Sequence, residues 1–383
     1  MRFTGYDLDQ RFVFSKNAFP ITIRDIEGVS IDITITYRDA DYSMTLSPDS
    51  SQSIELDMQE ILRSLAPKAY MMGELTNYTY RAFNQDDIVT ITASGTMDEE
   101  ISANLYVFDG GIAASNPTLE NHIWLTWRPE VCTTYPNGSE ELFAILNPYA
   151  IDGVEEGQLF RFRTLGKVYL SNGEDVVIEL SDGMISTSGM AYKVRVNVSA
   201  SRVGEILHNN YSEYDINDIA AYDVYGEFCT LADGVLQTGT PAAQRFILKP
   251  GRSNIKCFMF RNSLGVADTV YSTGSFTRIV SPDVATFISG RIESELTNKS
   301  KGSFKVNTGR LDSEYAVNLW QDFFMSDERF ISEGGQMKRI IVEEGKSEAI
   351  LQQLADMEFS YHLAEQPVGR YRDKKSLNTF RYE

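Results

Sequence analysis

The sequence predicts a mainly β protein, built of tandem β-sandwich-like domains followed by a small α+β C-terminal domain. Aromatic residues reach 11%, with 20 Tyr and 21 Phe, a composition that favours strands. Short apolar runs alternate with period two and are separated by turn residues, as in sandwiches. At 383 residues the chain is long for one core, so two or three domains are expected.

The first segment, 1–116, is read as a β-rich domain with one short helix. From Ile31 to Arg38 the isoleucines and Tyr37 face one way, while Asp32, Thr34, Thr36 and Arg38 face the other. Asp39-Ala40-Asp41 offers a turn, and Tyr42 to Leu46 returns as the hairpin partner. Asp57 then caps a helix carrying Met58, Ile61, Leu62 and Leu65, stopped by Pro67. Val89–Thr92 and Leu105–Phe108 read as further strands.

Asn116-Pro117 marks a boundary, and 117–280 is read as a β-sandwich domain. It opens on the apolar run Ile123–Trp127. Its best hairpin is Lys167–Leu180, turning at Asn172-Gly173. Tyr192, Val194, Val196 and Val198 alternate with polar residues, and Ile255–Arg261 and Thr269–Ser272 flank the turn Asn262–Gly265.

The third segment, 281–383, is read as an α+β module. Gly290–Leu296 and Ser303–Asn307 are strands, and 312–326 is an amphipathic helix carrying Tyr315, Leu319, Trp320, Phe323 and Phe324. Met337–Val342 and Met357–Leu363 complete a small sheet. A charged tail follows from Gly369 to Glu383.

A formal net charge of −19 disfavours nucleic acid and anionic membrane as partners. No stretch reaches the roughly 20 apolar residues of a membrane span. The N-terminal residues lack a basic segment followed by an apolar core, so no signal peptide is expected. Without export, the sequons at Asn77, Asn137, Asn197, Asn210 and Asn298 are chance matches. Cys132, Cys229 and Cys257 are far apart, and buried free thiols in a reducing cytoplasm are expected, above all at Cys132 and Cys257.

The search for chemistry predicts no enzyme, no cofactor and no metal. His122, His208 and His362 are isolated from one another and from every Cys, without zinc spacing. No Gly-x-Ser-x-Gly elbow accompanies them. Asp39-Ala40-Asp41 and Asp215-Ile216-Asn217-Asp218 have oxygen ligands suited to Ca²⁺, but neither continues into an EF-hand, and turn formation is the expected role. Gly345-Lys346-Ser347 resembles the end of a phosphate loop, yet Ile340 stands where its first Gly belongs, so a hairpin turn is expected. Trp124 and Trp127, three apart in a strand, would point to opposite faces and form no shared sugar platform, so at least one of them belongs to the core.

Three passages together resemble uncharacterised proteins of phages and prophages of Bacteroides-type bacteria. They are Ile255 to Gly274 (IKCFMFRNSLGVADTVYSTG), Ile54 to Arg63 (IELDMQEILR), and Ser303 to Gly309 with Trp320 to Ser326 and Met357 to Leu363. The resemblance implies a non-catalytic virion structural protein of a tail or baseplate, made in a bacterial cytoplasm. Its partners would be other virion proteins and copies of itself. Arg370, Arg372, Lys374, Lys375 and Arg381 are the candidate assembly contacts, docking on an acidic patch of the next subunit. The alternative is a surface adhesin or carbohydrate-binding protein, with a glycan as partner.

Overall fold

In the computed structural model the chain is mainly β, with β-sandwich-like layers and a C-terminal α+β part. The described residues are 1–4, 11–17, 19–37, 40–65, 78–82, 88–95, 99–108, 110–111, 124–146, 159–186, 192–230, 235–251, 254–289, 292–311, 313–333, 336–346 and 356–364. They group into two compact units. The first comprises Met1–Pro136, Glu140–Lys249 and Arg261–Asp268; the second comprises Asn137–Ser139, Pro250–Phe260 and Thr269–Glu383.

The first unit holds two layered cores. In one, a five-stranded sheet runs in the order Arg11–Phe14, Glu100–Phe108, Ile88–Gly95, Ile31–Tyr37, Ala40–Leu46. A three-stranded sheet of Arg2–Thr4, Pro20–Arg24 and Ile54–Asp57 completes the layer pair. The period of two does the work: Ile31, Ile33, Ile35 and Tyr37 are buried, together with Val89, Ile91, Ala93, Ala103 and Leu105. Facing Ile21, Ile23 and Ile54 belong to the same core. Helix α1 (Gln59–Leu65) closes it with Met58 and Leu62, both fully buried. Asp57 serves as its cap, since its Oδ1 accepts the backbone N–H of Gln59 at 3.0 Å and of Phe19 at 3.1 Å.

The loop before the strand Ile54–Asp57 is built on one carboxylate. Asp49 accepts the N–H and hydroxyl of Ser51 at 2.8 and 2.7 Å and those of Ser53 at 3.0 and 3.1 Å. The Ser51 hydroxyl, then the Ser53 N–H, hold its pKa down at about 2. A carboxyl lowered on folding contributes stability above pH 3.8 that is lost as pH falls through about 2. Carboxyl NMR titration should therefore give Asp49 a midpoint near 2, and Ser53→Ala should raise it; a midpoint unmoved from 3.8 would show that the loop does not hold this geometry.

The second core lies under a five-stranded sheet ordered Val131–Thr134, Val235–Leu248, Ile219–Thr230, Leu159–Leu170, Asp175–Ser186. Opposite is a three-stranded sheet of Glu141–Leu146, Tyr192–Asn197 and Tyr78–Ala82. Phe162, Val168, Tyr222, Val224 and Phe246 from one sheet meet Leu142, Val194 and Val196 from the other. The Asn172-Gly173 hairpin forms as its sequence dictates, with Gly173 at φ 93°. Helix α2 (Ala200–Asn210) was not anticipated. It starts at Ser199, whose side chain accepts the Arg202 N–H, and buries Val203, Ile206 and Leu207.

Segment 1–116 is not self-contained, because Tyr78–Ala82 pairs antiparallel with Tyr192–Val196. Hydrogen bonding to a distant strand leaves no sequence mark at either partner. The 116/117 boundary itself lies outside the described residues.

The second unit is a seven-stranded sheet ordered Ala267–Ser272, Lys256–Arg261, Arg329–Glu333, Gln336–Lys346, Glu358–Leu363, Ile292–Asn307, Phe276–Ser289. The boundary expected at 280/281 falls inside its last strand, so Lys256–Arg261 and the chain from 269 onward share a sheet with the third segment. Helix α3 (Glu314–Met325), capped by Ser313, buries Trp320 and Phe323 against the sheet, while Tyr315 is 64% exposed and off the core face. Gly345-Lys346 is strand rather than turn. Its residues pair with Phe359 and Glu358 after a register shift between Val342 and Glu344.

One hairpin outruns the sheet. Phe276–Ser289 and Ile292–Asn307 pair from Phe276↔Val306 to Ser289↔Ile292, with one register shift between Ala285 and Thr286. Only Phe304–Asn307 also pair with Glu358–Tyr361. Among the described residues, the stretch 292–303 therefore has a single strand neighbour over roughly 40 Å, at ~3.3 Å per residue. A Cβ placed on Gly302 would meet nothing within 4 Å.

Candidate interaction surfaces

The stretch Ile255–Gly274 shapes a buried node in the first unit. Asp268 is 0% exposed and collects four donors. Its oxygens accept the Thr126 hydroxyl at 2.6 Å, the Trp127 N–H at 3.2 Å and the Asn262 amide at 2.7 Å. Arg128 Nε lies 3.3 Å away, its own side chain 3% exposed. Asn262 also donates to the Leu125 carbonyl at 3.3 Å and accepts the Val266 N–H at 3.2 Å, while Gly265 supplies a φ of 86°. Trp127 Nε1 donates to Ser263 Oγ at 2.7 Å, and Gly111 N–H to the Ser263 carbonyl at 2.6 Å. Residues 124–128 are not a strand, contrary to the apolar run: the Leu125 N–H reaches the Phe143 carbonyl, but the Thr126 and Arg128 N–H groups turn back on the segment itself and the Trp127 N–H goes to the Asp268 carboxylate, so no ladder forms. Trp124 is core and Trp127 is 43% exposed, so no paired aromatic platform forms.

Next to this node, Glu141 is held by Arg195 through Nη2 at 2.6 Å and Nε at 2.9 Å. Burial pushes the Glu141 carboxyl up, with Arg195 and then Arg128 opposing it. This network joins side chains from distant segments to one another. It is equipped to fix chain segments, and the sequence signal for it was the polar turn Asn262–Gly265 followed by Asp268.

The solvent-facing side of the second five-stranded sheet is a ladder of matched charges. Asp223 accepts Tyr169 OH at 2.9 Å and Arg245 Nε and Nη2, each at 2.6 Å. Burial works against the Asp223 carboxylate, but Arg245 and Tyr169 outweigh it and hold the pKa below the usual range. Arg163 lies 3.3 Å from Glu227, Lys167 lies 3.1 Å from Asp175, and Arg161 forks onto Asp182. These four carboxylates each have a cation on the same sheet.

The outer face of the first five-stranded sheet is built differently. Three cross-strand rows run Thr45–Asp32–Ser94–Glu100, Ser43–Thr34–Thr92–Ser102 and Asp41–Thr36–Thr90–Asn104. All twelve residues are exposed or half-exposed, and none is Lys, Arg or aromatic. Their hydrogen bonds stay within the rows: Thr45 to Asp32 at 2.6 Å, Thr34 with Ser43 at 3.2 Å, and Thr90 to Asn104 at 2.9 Å. The period-two reading of Ile31–Arg38 found one column of this face. The other columns arrive through strand pairing.

Other expected sites resolve as local structure. Asp215 and Asp218 cap a short 3₁₀ turn: Asp215 accepts the Asn217 N–H at 2.6 Å, and Asp218 accepts the Asp215 N–H at 2.8 Å. Ala40 and Asp41 are strand, and Asp39 lies outside the described residues. His208 Nδ1 lies 3.0 Å from the Tyr214 carbonyl, and His362 Nδ1 lies 3.0 Å from Glu343 Oε1; His122 lies outside the described residues. Cys229 and Cys257 are buried free thiols, and Cys132 is a half-buried one whose pKa burial pushes up to about 12. Among the described residues no group of His, Cys, Asp and Glu is arranged to hold a metal ion. No helix of the described residues is long and apolar enough to cross a membrane. Arg370, Arg372, Lys374, Lys375 and Arg381 lie outside the described residues.

The fold and these surfaces define a mainly β protein of β-sandwich-like domains. No family model matches the chain, and no curated protein matches it. Among solved structures, it is similar to native E. coli α-2-macroglobulin at 9% identity and TM-score 0.20. That match covers 80% of this chain, which spans only 21% of the macroglobulin. It is also similar to the titin I-band fragment I67–I69, at 10% identity and TM-score 0.19, with 80% of this chain and 93% of that chain covered. Dpr2 Ig1–Ig2 in complex with DIP-Theta Ig1–Ig3 gives 8% identity and TM-score 0.19, covering 96% and 90%. Likenesses this weak say nothing of partners or activity.

Proposed function

We propose that the chain is a non-catalytic structural subunit of a phage virion, a tail or baseplate component that assembles with copies of itself and with other virion proteins. The observation that carries this reading is the hairpin 276–307. An isolated two-stranded hairpin is at best marginally stable in water, yet this one extends about a dozen residue pairs beyond its sheet. Such an arm gains its missing hydrogen bonds and packing from a neighbouring subunit, the way an added strand completes a sheet edge. Pro282, on the outer strand, lacks an N–H and limits uncontrolled edge-to-edge pairing there. The resemblance of Ile255–Gly274 and its companion passages to phage proteins supplies the type of assembly.

Quantitative mass spectrometry of purified particles from the producing cell tests this reading. A fixed copy number relative to the capsid protein is expected, and absence from particles would sink it. A second measurement addresses the arm. Replacing 281–301 by Asn-Gly, which closes the hairpin between the paired Val280 and Gly302, should leave the unfolding temperature within a few degrees of wild type and abolish incorporation. Unchanged incorporation would remove the arm from the assembly contacts.

A further inference from the structure

We propose that the hydroxyl-rich outer face of the first five-stranded sheet docks the basic segment Gly369–Glu383 of a second copy of this chain. The proposal rests on the assembly reading above and names a contact for it. The twelve described residues of these rows comprise three carboxylates, Asp32, Asp41 and Glu100, and nine short hydroxyl or amide side chains, with no cation among them. That sets it apart from the charge ladder on the other five-stranded sheet, where Asp175, Asp182, Asp223 and Glu227 already have their Lys or Arg. Short side chains also leave the face flat enough for an extended chain to lie on it.

The segment inverts the character of the protein. It holds five Lys and Arg against two carboxylates in a chain of net charge −19. Arg370, Arg372 and Lys374 are spaced by two, so an extended segment would present all three on one side, with the outer two about 13.5 Å apart. On the face, Asp32 lies opposite Thr45, four residues along the neighbouring strand from Asp41. That places Asp32 and Asp41 about 14 Å apart, taking ~3.4 Å per residue and ~4.8 Å between strands. The outer two cations thus reach the two carboxylates together, and Arg372 falls over the Thr34–Ser43 row, whose hydroxyls accept its N–H groups. The long-range field between two such acidic copies is repulsive, so a local basic segment is what an attractive contact requires.

Sedimentation velocity of the full chain over a concentration series tests this. Wild type should self-associate, more weakly as salt is raised past the Debye regime. D32N/D41N/E100Q and R370Q/R372Q/K374Q should each weaken association by about tenfold, the expected size for two or three exposed ion pairs. Joining D32K/D41K with R370E/R372E/K374E in one chain should restore it. Circular dichroism should be unchanged throughout, since the substituted face residues are solvent-facing. Association that ignores the face variant, fails to recover on joint reversal, or is replaced by a monomer at all concentrations would overturn the proposal. Presence in particles is read separately: a protein that self-associates through this face but is missing from virions sinks only the virion reading.

Discussion

Asp268→Ala should lower the stability of the first unit by about 3–5 kcal/mol, the range for deleting one partner of a buried ion pair. The Arg128 guanidinium, 3% exposed, would keep its charge inside the protein without the carboxylate at 3.3 Å. Thr126 and Trp127 would lose their acceptor at the same time, and Asn262 one of its two. Each unsatisfied buried donor carries a desolvation penalty of about 1–3 kcal/mol, so the effect should reach the upper part of the range. Asp268→Asn keeps the shape and part of the hydrogen bonding, and should cost less. Arg128→Met in the Asp268→Leu background should recover much of the loss, because the penalty arises from the stranded charge rather than from a missing attraction. Thermal unfolding by near-ultraviolet circular dichroism checks all four. A destabilisation below 1 kcal/mol for Asp268→Ala would mean that water reaches the node, and that Asp268 does not fasten 124–128 to the turn 262–266.

That node shows why the fold was more legible than its surfaces. Ile31–Tyr37 and Glu358–Leu363 announce themselves because period two is a local property, and burial at alternate positions follows it. Helix α3 was visible through Trp320 and Phe323 on one stripe. Helix α2 was missed although Ser199, Val203, Ile206 and Leu207 spell a cap and a stripe, since the alternation Val194, Val196, Val198 runs on to Ala200 with no Gly or Pro between strand and helix. The hairpin 276–307 was read as shorter strands because Asn298–Gly302 is a polar run of low β propensity, which pairing nonetheless carries as strand. Asp268 finds Thr126 across 142 residues, a partnership with no spacing rule. The three polar rows on the first sheet needed strand order, which periodicity does not specify.

In the second unit the largest loss should come from Phe258→Ala, by about 3–5 kcal/mol, the usual range for a fully buried aromatic. Phe258 is 0% exposed, and four rings surround it: Phe359 at 5.5 Å, Phe323 and Tyr361 at 5.8 Å, and Trp320 at 6.1 Å between centroids. All four meet it edge-on or nearly so, at 62° to 84°, the arrangement in which the positive ring edge approaches a negative face. Pairs of this kind contribute about 0.5–1.5 kcal/mol each beyond burial, so removing their common member is felt on α3 and on the strand Glu358–Leu363 at once. Neighbours that themselves interlock, as Trp320 and Phe323 do at 5.2 Å, cannot collapse into the space, and the cavity term is added to the lost transfer energy. Phe258→Leu refills most of the volume and should cost less than half as much. Of the three tryptophans, Trp320 alone lies in the second unit, so its emission in a Trp124→Phe/Trp127→Phe background reports this core directly. Phe258→Ala should shift that transition to lower denaturant and redden the folded-state emission of Trp320. An unshifted midpoint would mean that α3 is not held to the sheet through this cluster, and that the helix owes its place to its Ser313 cap and the Arg329 hydrogen bonds to the Phe323 and Phe324 carbonyls at 2.8 and 2.7 Å.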